Sequence, residues 1–476
     1  MTEACCASPR PRAFDLAVIG AGSAGFAAAI RAAELGAQVA LIGHGAIGGT
    51  CVNVGCVPSK TLIRAAETLH QAAAASRFAG ISAEAKLSNW RSLVAQKDEL
   101  VGALRQAKYV DLLPSYNTIA YMEGPARLTH DGVAVNGHAL RPGKVIVTTG
   151  ARPRIPAIKG LDTVPYLTST SALDLEALPK SLAIIGGGVV AAELGQLFAR
   201  AGVRVTMLCR SHILSQAEPE ISGALMGYLR DEGLDIRCGI GIDAVAATPS
   251  GIVVSISEAS GKAGTVAAEK VLIATGRTPN TEGLGLEEAG IGLTERGGIR
   301  VDERLRTTKV GVYAAGDVTG RDMFVYMAAY GAKVAAENAL NGDARRYDSS
   351  AMPEVVFTDP QLASVGLTEA AAHELGMVVR SAIVPLDYVP RAIAARDTRG
   401  LIKLVAERKT GRLVGAHMLA PEAGDSIQTA ALAIKQGLTV QDLAETVFPY
   451  LTTVEGLRLA AQGFERDVAK LSCCAG

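Results

Sequence analysis

Two cysteines five residues apart, Cys51 and Cys56, stand in the stretch Gly48-Gly49-Thr50-Cys51-Val-Asn-Val-Gly55-Cys56-Val-Pro58-Ser59-Lys60. Gly55 permits a turn between them, so the two sulfurs can reach disulfide separation. Pro58 suits the first turn of a helix, expected over Ser59 to His70. Cys56 would then lie beside a helix N-terminus, a place that favours thiolate. Four more cysteines form two adjacent pairs, Cys5/Cys6 and Cys473/Cys474. Eight cysteines in 476 residues do not make a disulfide scaffold. Close pairs in a reducing compartment point instead to redox or soft-metal chemistry. Adjacent thiols near a terminus are poor structural elements but good soft-cation ligands.

The elements that must position these thiols are legible as one motif that occurs twice. Phe14 to Ile19 is an apolar run, followed by Gly20-Ala-Gly22-Ser-Ala-Gly25, an Ala-rich helical stretch ending at Gly36, and a second apolar run from Gln38 to Ile42. The order returns with Leu182 to Ile185, Gly186-Gly-Gly188-Val-Val-Ala191, a helix over Val190 to Ala201 stopped by Gly202, and a strand over Val203 to Leu208. Each is a βαβ unit with a Gly-rich turn at a helix N-terminus. The first Gly allows the tight turn, the second lets a pyrophosphate approach the backbone, and the third position must be small for helix–strand packing. The unpaired N–H groups and positive end of the helix then bind the phosphates. In the second unit the strand ends Met207-Leu-Cys209-Arg210, with no acid to bond a ribose 2′-hydroxyl. Arg210 is placed for a 2′-phosphate, which its guanidinium can grip bidentately, so NADPH is favoured over NADH.

The expected organisation is a flexible leader over residues 1–12, a first dinucleotide domain over 13–152 and 273–345, a second inserted over 153–272, and a C-terminal domain over 346–476 that carries the Cys-Cys tail. The near-duplicate strand ends at Thr149-Gly150 and Thr275-Gly276 mark the two crossings. Strand-like runs (Gly400 to Ala406, Leu413 to Leu419) with a helical run over Asp425 to Gln436 make the last domain α+β. The chain is 49% hydrophobic, ample for large cores, and only 4% aromatic, so stacking platforms for nucleic acid are not expected. Lys and Arg total 47, as do Asp and Glu, so no net charge draws the chain to nucleic acid or an acidic membrane. No signal-type leader and no run of about 20 strongly apolar residues is seen, and a cytoplasmic location without stable membrane insertion is the expectation.

The segment from Gly49 to Lys60 resembles the signature of the pyridine nucleotide–disulfide oxidoreductases. Gly311-Val-Tyr-Ala-Ala-Gly316-Asp317 and Gly276-Arg277-Thr-Pro-Asn280 resemble two further segments of that family. The resemblance implies an α/β fold with two Rossmann-like dinucleotide-binding domains, for FAD and NADPH, and an α+β C-terminal dimerisation domain. It implies FAD against Gly20, Gly22, Gly25, Gly45, Thr50, Lys60, Ala126, Asp317 and Val325. NADPH falls to Gly186, Gly188 and Arg210, and Gly276 and Arg277 are implied to be cofactor-binding as well. Lys60 is implied to pair with Glu193 near the flavin ring, where a positive charge stabilises reduced flavin. Cys51 and Cys56 are implied to be the redox-active disulfide. Two departures stand out. The second strand ends in Gly43 and His44 where many relatives place the acid that binds the FAD ribose, and Val189 stands where many place a Tyr lid over the nicotinamide pocket.

Phe448-Pro-Tyr450-Leu-Thr-Thr-Val-Glu455 resembles the family's interface segment, in which disulfide reductases use a His oriented by a Glu as acid–base. Here the His position holds Tyr450, whose phenol, with a pKa near 10, is a poor proton shuttle at neutral pH. Together with Cys473 and Cys474, this resembles the branch of the family that reduces Hg2+, in a homodimer whose active site is shared between subunits. By that resemblance Cys51, Cys56, Cys473 and Cys474 hold the ion in turn. Many members of the branch carry an N-terminal metal-binding domain with a Gly-Met-Thr-Cys motif, and none is seen before the first Gly-rich turn. Some thioredoxin reductases also end in a cysteine pair, so a low-molecular-weight disulfide reductase stays open, as does a thiol-rich mercury-sequestering protein.

Overall fold

In the computed structural model the described residues are 14–470. They pack as two compact units, one of residues 14–58, 98–152 and 277–349 and one of 59–97, 153–276 and 350–470. The division falls inside two helices, Cys56–Ala73 and Trp90–Arg105.

The first unit is built on a five-stranded parallel sheet in the order Val312–Ala314, Lys144–Val147, Leu16–Ile19, Val39–Gly43 and Ile119–Glu123. Its central strand, Leu16–Ile19, is buried along its length, as expected of a parallel strand covered on both faces. On one face the helix Ser23–Glu34 lies against the helix Val325–Asn341. The contact is made of small residues, Ala24, Ala28 and Ala32 facing Ala328, Ala332 and Ala335, so the two backbones approach closely. Apolar side chains from the loops and hairpins, among them Leu128, Val133, Leu286 and Ile299, cover the other face.

The second unit repeats the βαβ theme. Its parallel sheet runs Asp235–Arg237, Arg204–Leu208, Ser181–Ile185 and Lys270–Ile273, with the helix Val189–Arg200 crossing between the two central strands. A five-stranded antiparallel sheet follows, in the order Pro353–Val356, Gln361–Gly366, Leu413–Ala420, Leu401–Glu407 and Val379–Pro385. The helices Ala423–Gln436 and Glu455–Gln462 pack on it through Ile427, Ala430, Leu457 and Ala460. Lys403, 2% exposed, is held there by Glu218, Glu220 and Glu369 at 3.0 Å each. Burial alone would push its ammonium toward neutrality, but the three carboxylates hold its pKa above the ordinary lysine value.

The α/β class with two nucleotide-type units and an α+β C-terminal part is the fold that the sequence implied. Element ends move by one or two residues. The notable shift is the helix expected from Ser59, which begins at Cys56 and ends at Ala73. Its first turn therefore contains Cys56 itself. Among the described residues no helix is long and apolar enough to cross a membrane.

Candidate active site

The first Gly-rich turn owes its shape to three contacts. Gly20 has φ +118°, and a Cβ on it would lie 2.4 Å from the Thr148 carbonyl oxygen. A Cβ on Gly25 would fall 1.7 Å from the Gly20 oxygen, so the third position tolerates no side chain at all. Thr148, which sequence reasoning did not single out, donates its buried hydroxyl toward the Ile19 and Gly20 carbonyls at 3.0 and 3.1 Å. Gly22 caps the helix Ser23–Glu34 with no side-chain hydrogen bond, which leaves the first-turn N–H groups available to an anion. Its backbone is bridged to Gly48, whose N–H donates to the Ala21 carbonyl at 2.9 Å, so the dithiol segment is tied to the nucleotide turn.

The second turn is built the same way. Gly186 has φ +135°, with a would-be Cβ 2.2 Å from the Ala274 carbonyl oxygen. Gly188 caps the helix Val189–Arg200, again without a side-chain bond, and open space surrounds the place of its missing Cβ. Both turns thus fit a pyrophosphate. Arg210 is exposed just beyond the strand Arg204–Leu208, and Val189 is exposed at the helix start.

Cys51 lies in the short helix Gly49–Val54 and Cys56 at the first position of the next. The two cysteines lie close. Gly55 makes the join possible, because a Cβ there would stand 2.9 Å from the Thr50 carbonyl oxygen and 3.3 Å from the Cys51 Cα. Asn53 holds the short helix by donating to the Ile47 and Gly49 carbonyls at 2.9 and 2.8 Å, and Arg105 donates to Asn53 at 3.2 Å. Cys56 is exposed and Cys51 half-buried, so an incoming ion can reach the pair.

Arg277 and Asp317 stand together, with Nε 3.7 Å from Oδ2, and the Arg277 guanidinium also donates to the Ala151 carbonyl. Burial pushes the Asp317 pKa up against the pull of Arg277. Burial likewise pushes Arg277 down, opposed by Asp317 and by Cys56. A guanidinium is thus near enough to Cys56 to favour negative charge on its sulfur. Val325 opens the helix Val325–Asn341, Ala126 opens a small hairpin strand, Gly45 has φ +83° in an exposed loop, and Thr50 is exposed on the dithiol segment. Gly276 has φ +103°, directly before Arg277.

Gly43 has a steric reason to be glycine. A Cβ there would lie 2.5 Å from the Tyr121 hydroxyl and 2.9 Å from the Ala21 Cβ. Tyr121 fills the room that an acidic side chain would need.

In the second unit the Lys60 ammonium meets Glu193 at 2.7 Å. Glu193 is 4% exposed, and its other oxygen accepts the Phe357 backbone N–H at 2.9 Å. Lys60 also sits 4.8 Å above the Phe357 ring, a cation–π contact. Phe357 was not foreseen, since nothing in its local sequence links it to a lysine almost 300 residues earlier. Lys60 and Phe357 border a cavity of about 280 Å3 whose walls carry both Arg200 and Asp359. Tyr450 is 48% exposed, and Glu455 is 2% exposed and accepts the Leu451 N–H at 3.3 Å. Cys473, Cys474, Cys5 and Cys6 lie outside the described residues.

A nucleotide-dependent dithiol oxidoreductase is the class these features define, and the chain belongs to the pyridine nucleotide-disulphide oxidoreductases. The family's sequence model matches residues 14–334, and that of its dimerisation domain matches 352–461. The chain is 48% identical to a mercuric reductase of Streptomyces lividans, over 97% of this chain and 98% of that one. It is 47% identical to one of Shigella flexneri, over 98% of this chain and 83% of the relative. Among solved structures it is similar to the copper complex of the flavoprotein disulfide reductase RclA from Escherichia coli, with TM-score 0.83 and 30% identity over 95% of this chain and 99% of that one. It also resembles LpdA from Mycobacterium tuberculosis, with TM-score 0.84 and 28% identity over 95% and 99% of the two chains.

Proposed function

We infer that this chain is an NADPH-dependent flavoenzyme that reduces Hg2+ to Hg0, and so serves mercury detoxification. The observation that carries the reading is similarity to mercuric reductases over nearly the whole of a chain whose Cys56, close to Cys51, heads a helix. Its cofactors are FAD and NADPH, its substrate is Hg2+, and it is a homodimer through its dimerisation domain.

Bound FAD, once reduced by NADPH, supplies the two electrons that convert Hg2+ to Hg0. The chain's own residues do the rest. The Gly20–Gly25 turn grips one pyrophosphate and the Gly186–Gly188 turn the other, each at a helix N-terminus. Arg210 takes the 2′-phosphate of NADPH. Cys51 and Cys56 hold the ion as a bis-thiolate, a soft donor set for a soft cation. The helix N-terminus and Arg277 favour the Cys56 thiolate, while Cys51 exchanges with incoming ligands. Glu193 and the Phe357 ring fix the Lys60 ammonium, so its charge is in place before reaction and needs no reorganisation. Because Hg2+ arrives on thiolates and leaves as a neutral atom, no proton shuttle is needed, and the Tyr450 phenol suffices where a disulfide reductase needs an imidazole.

Cys473 and Cys474 of one subunit pass the ion to Cys51 and Cys56 of the other, in the cytoplasm. The domains that do this are a leader over 1–12, an FAD domain over 13–152 and 273–345, an NADPH domain over 153–272, and a dimerisation domain over 346–476. The test is NADPH oxidation in the purified protein with mercury vapour measured alongside. Hg2+-dependent oxidation with release of vapour is expected. NADPH-dependent reduction of glutathione disulfide or lipoamide without Hg2+ turnover would replace the reading with that of a disulfide reductase.

A further inference from the structure

Two of the four described cysteines take no part in the chemistry above. Cys209 follows the strand Arg204–Leu208 and Cys238 follows the strand Asp235–Arg237. The strands pair in parallel with Leu208 opposite Arg237. The Cys209 N–H still donates to the Arg237 carbonyl at 2.8 Å, so the next rung sets the two cysteines side by side. A third sulfur is present: Met226, on the helix Pro219–Asp231, has its Sδ 4.0 Å from the Cys238 Sγ. The Cys209 thiol donates to the Gly186 carbonyl at 3.7 Å, and its sulfur would lie 2.9 Å from a Cβ on Gly187. The Cys209 sulfur therefore abuts the backbone of the second nucleotide turn, one residue from Arg210.

We propose that Cys209 and Cys238, with the Met226 thioether beside them, form a second site for a soft cation such as Hg2+, and that filling it weakens NADPH binding. The identity of the ion rests on the function proposed above; the donor set does not. Two thiols and a thioether favour a soft, two-coordinate cation over any hard ion.

Access is ordered by burial. Cys238 is half-buried and Cys209 is 1% exposed, so exchange starts at Cys238. A bis-thiolate complex RS–Hg–SR gives up one thiol to Cys238, whose proton leaves with the departing RSH. Cys209 then displaces the second RSH in the same way. Two S–Hg bonds form, two break, and no electron moves. Burial, with Cys238 next to it, pushes the Cys209 thiol up to about 12, so it keeps its proton until the ion takes the proton's place. An ion between the two sulfurs forces them apart. Cys209 packs against Gly186 and Gly187, so its displacement is passed to the turn that receives the pyrophosphate.

The test uses the full chain with FAD bound, with Cys5, Cys6, Cys51, Cys56, Cys473 and Cys474 changed to Ala. Hg2+ is supplied as its glutathione complex, unbound complex is removed by gel filtration, and retained mercury and NADPH affinity are measured. One mercury per chain and NADPH binding weakened about tenfold are expected, both lost when Cys209→Ala and Cys238→Ala are added. Cys238→Ser alone, at the half-buried position, keeps the core packed and is expected to lose retention too. No retained mercury, retention that survives these changes, or retention with unaltered NADPH affinity would each overturn the proposal. This background cannot turn over Hg2+, so failure of turnover in the unmodified enzyme would sink the functional reading without touching the retention result.

Discussion

Cys56 opens an 18-residue helix, with the Arg277 guanidinium close enough to feel its charge. Both features favour a thiolate at the point where the proposed function has a soft ion bind. Replacing Cys56 by Ala is expected to abolish release of mercury vapour while leaving the yellow flavin in place. Vapour release at the unmodified rate would contradict the dithiol mechanism. In the proposed function Arg210 carries a different choice, that between nicotinamide cofactors. Arg210→Glu removes a charge-assisted partner of the 2′-phosphate and adds repulsion. Such a contact is worth about 1.5–3 kcal/mol, so NADPH is expected to lose roughly tenfold to hundredfold in kcat/KM while NADH changes little. Equal losses for both cofactors would remove Arg210 as the discriminator. Tyr121 was invisible as a site neighbour. The sequence marks Gly43 as a departure, and only the fold shows a phenol standing where an acid would project.

At the scale of elements, the two glycine turns and their helices were legible because each residue type answers a local demand: φ beyond the reach of a side chain, a backbone approach, a small packing position. Gly25→Ala tests the tightest of these. Its Cβ would overlap the Gly20 carbonyl, so the turn cannot keep its shape. The variant is expected to purify without flavin absorbance, and a fully yellow protein would show that the turn is looser than its contacts suggest. What was not legible were contacts between distant elements, such as Lys60 with Phe357, since periodicity within a segment carries no address for its partner. His70 is another case. It sits on the dithiol helix but faces Arg200, Glu232 and Asp359. Burial, then Arg200, pushes its pKa down, against the pull of Glu232 and Asp359. Between that lowered value and the unfolded value of about 6.5, the folded chain binds fewer protons than the unfolded chain. The stabilisation is complete above about pH 6.5 and is lost as pH falls below it. The melting temperature should therefore fall further between about pH 7.5 and pH 5.5 in the unmodified protein than in His70→Gln. Parallel falls would assign acid sensitivity elsewhere.

At the scale of the whole molecule, the proposed delivery of the ion depends on the dimer. Hg2+ in a cell is already thiol-bound, and a second pair of thiols can take it from outside ligands and present it inside, each step replacing one Hg–S bond by another. A mixed dimer separates the routes: one subunit with Cys51 and Cys56 changed to Ala, its partner with Cys473 and Cys474 changed to Ala. Delivery across the interface leaves one complete site, and about half the activity toward thiol-bound Hg2+ is expected. Activity no higher than that of the two parent variants would refute it. The sheet that belongs to the dimerisation domain also holds Lys403 among three carboxylates, nearly out of reach of water. Hydration of charged groups becomes less favourable on heating, while the gain from apolar burial levels off. The cost of keeping that ammonium dry thus shrinks as the protein warms, and its ionic clasp carries a growing share of what joins the dimerisation sheet to the helix Pro219–Asp231 and to Glu369 at the temperatures where the apolar cores begin to fail.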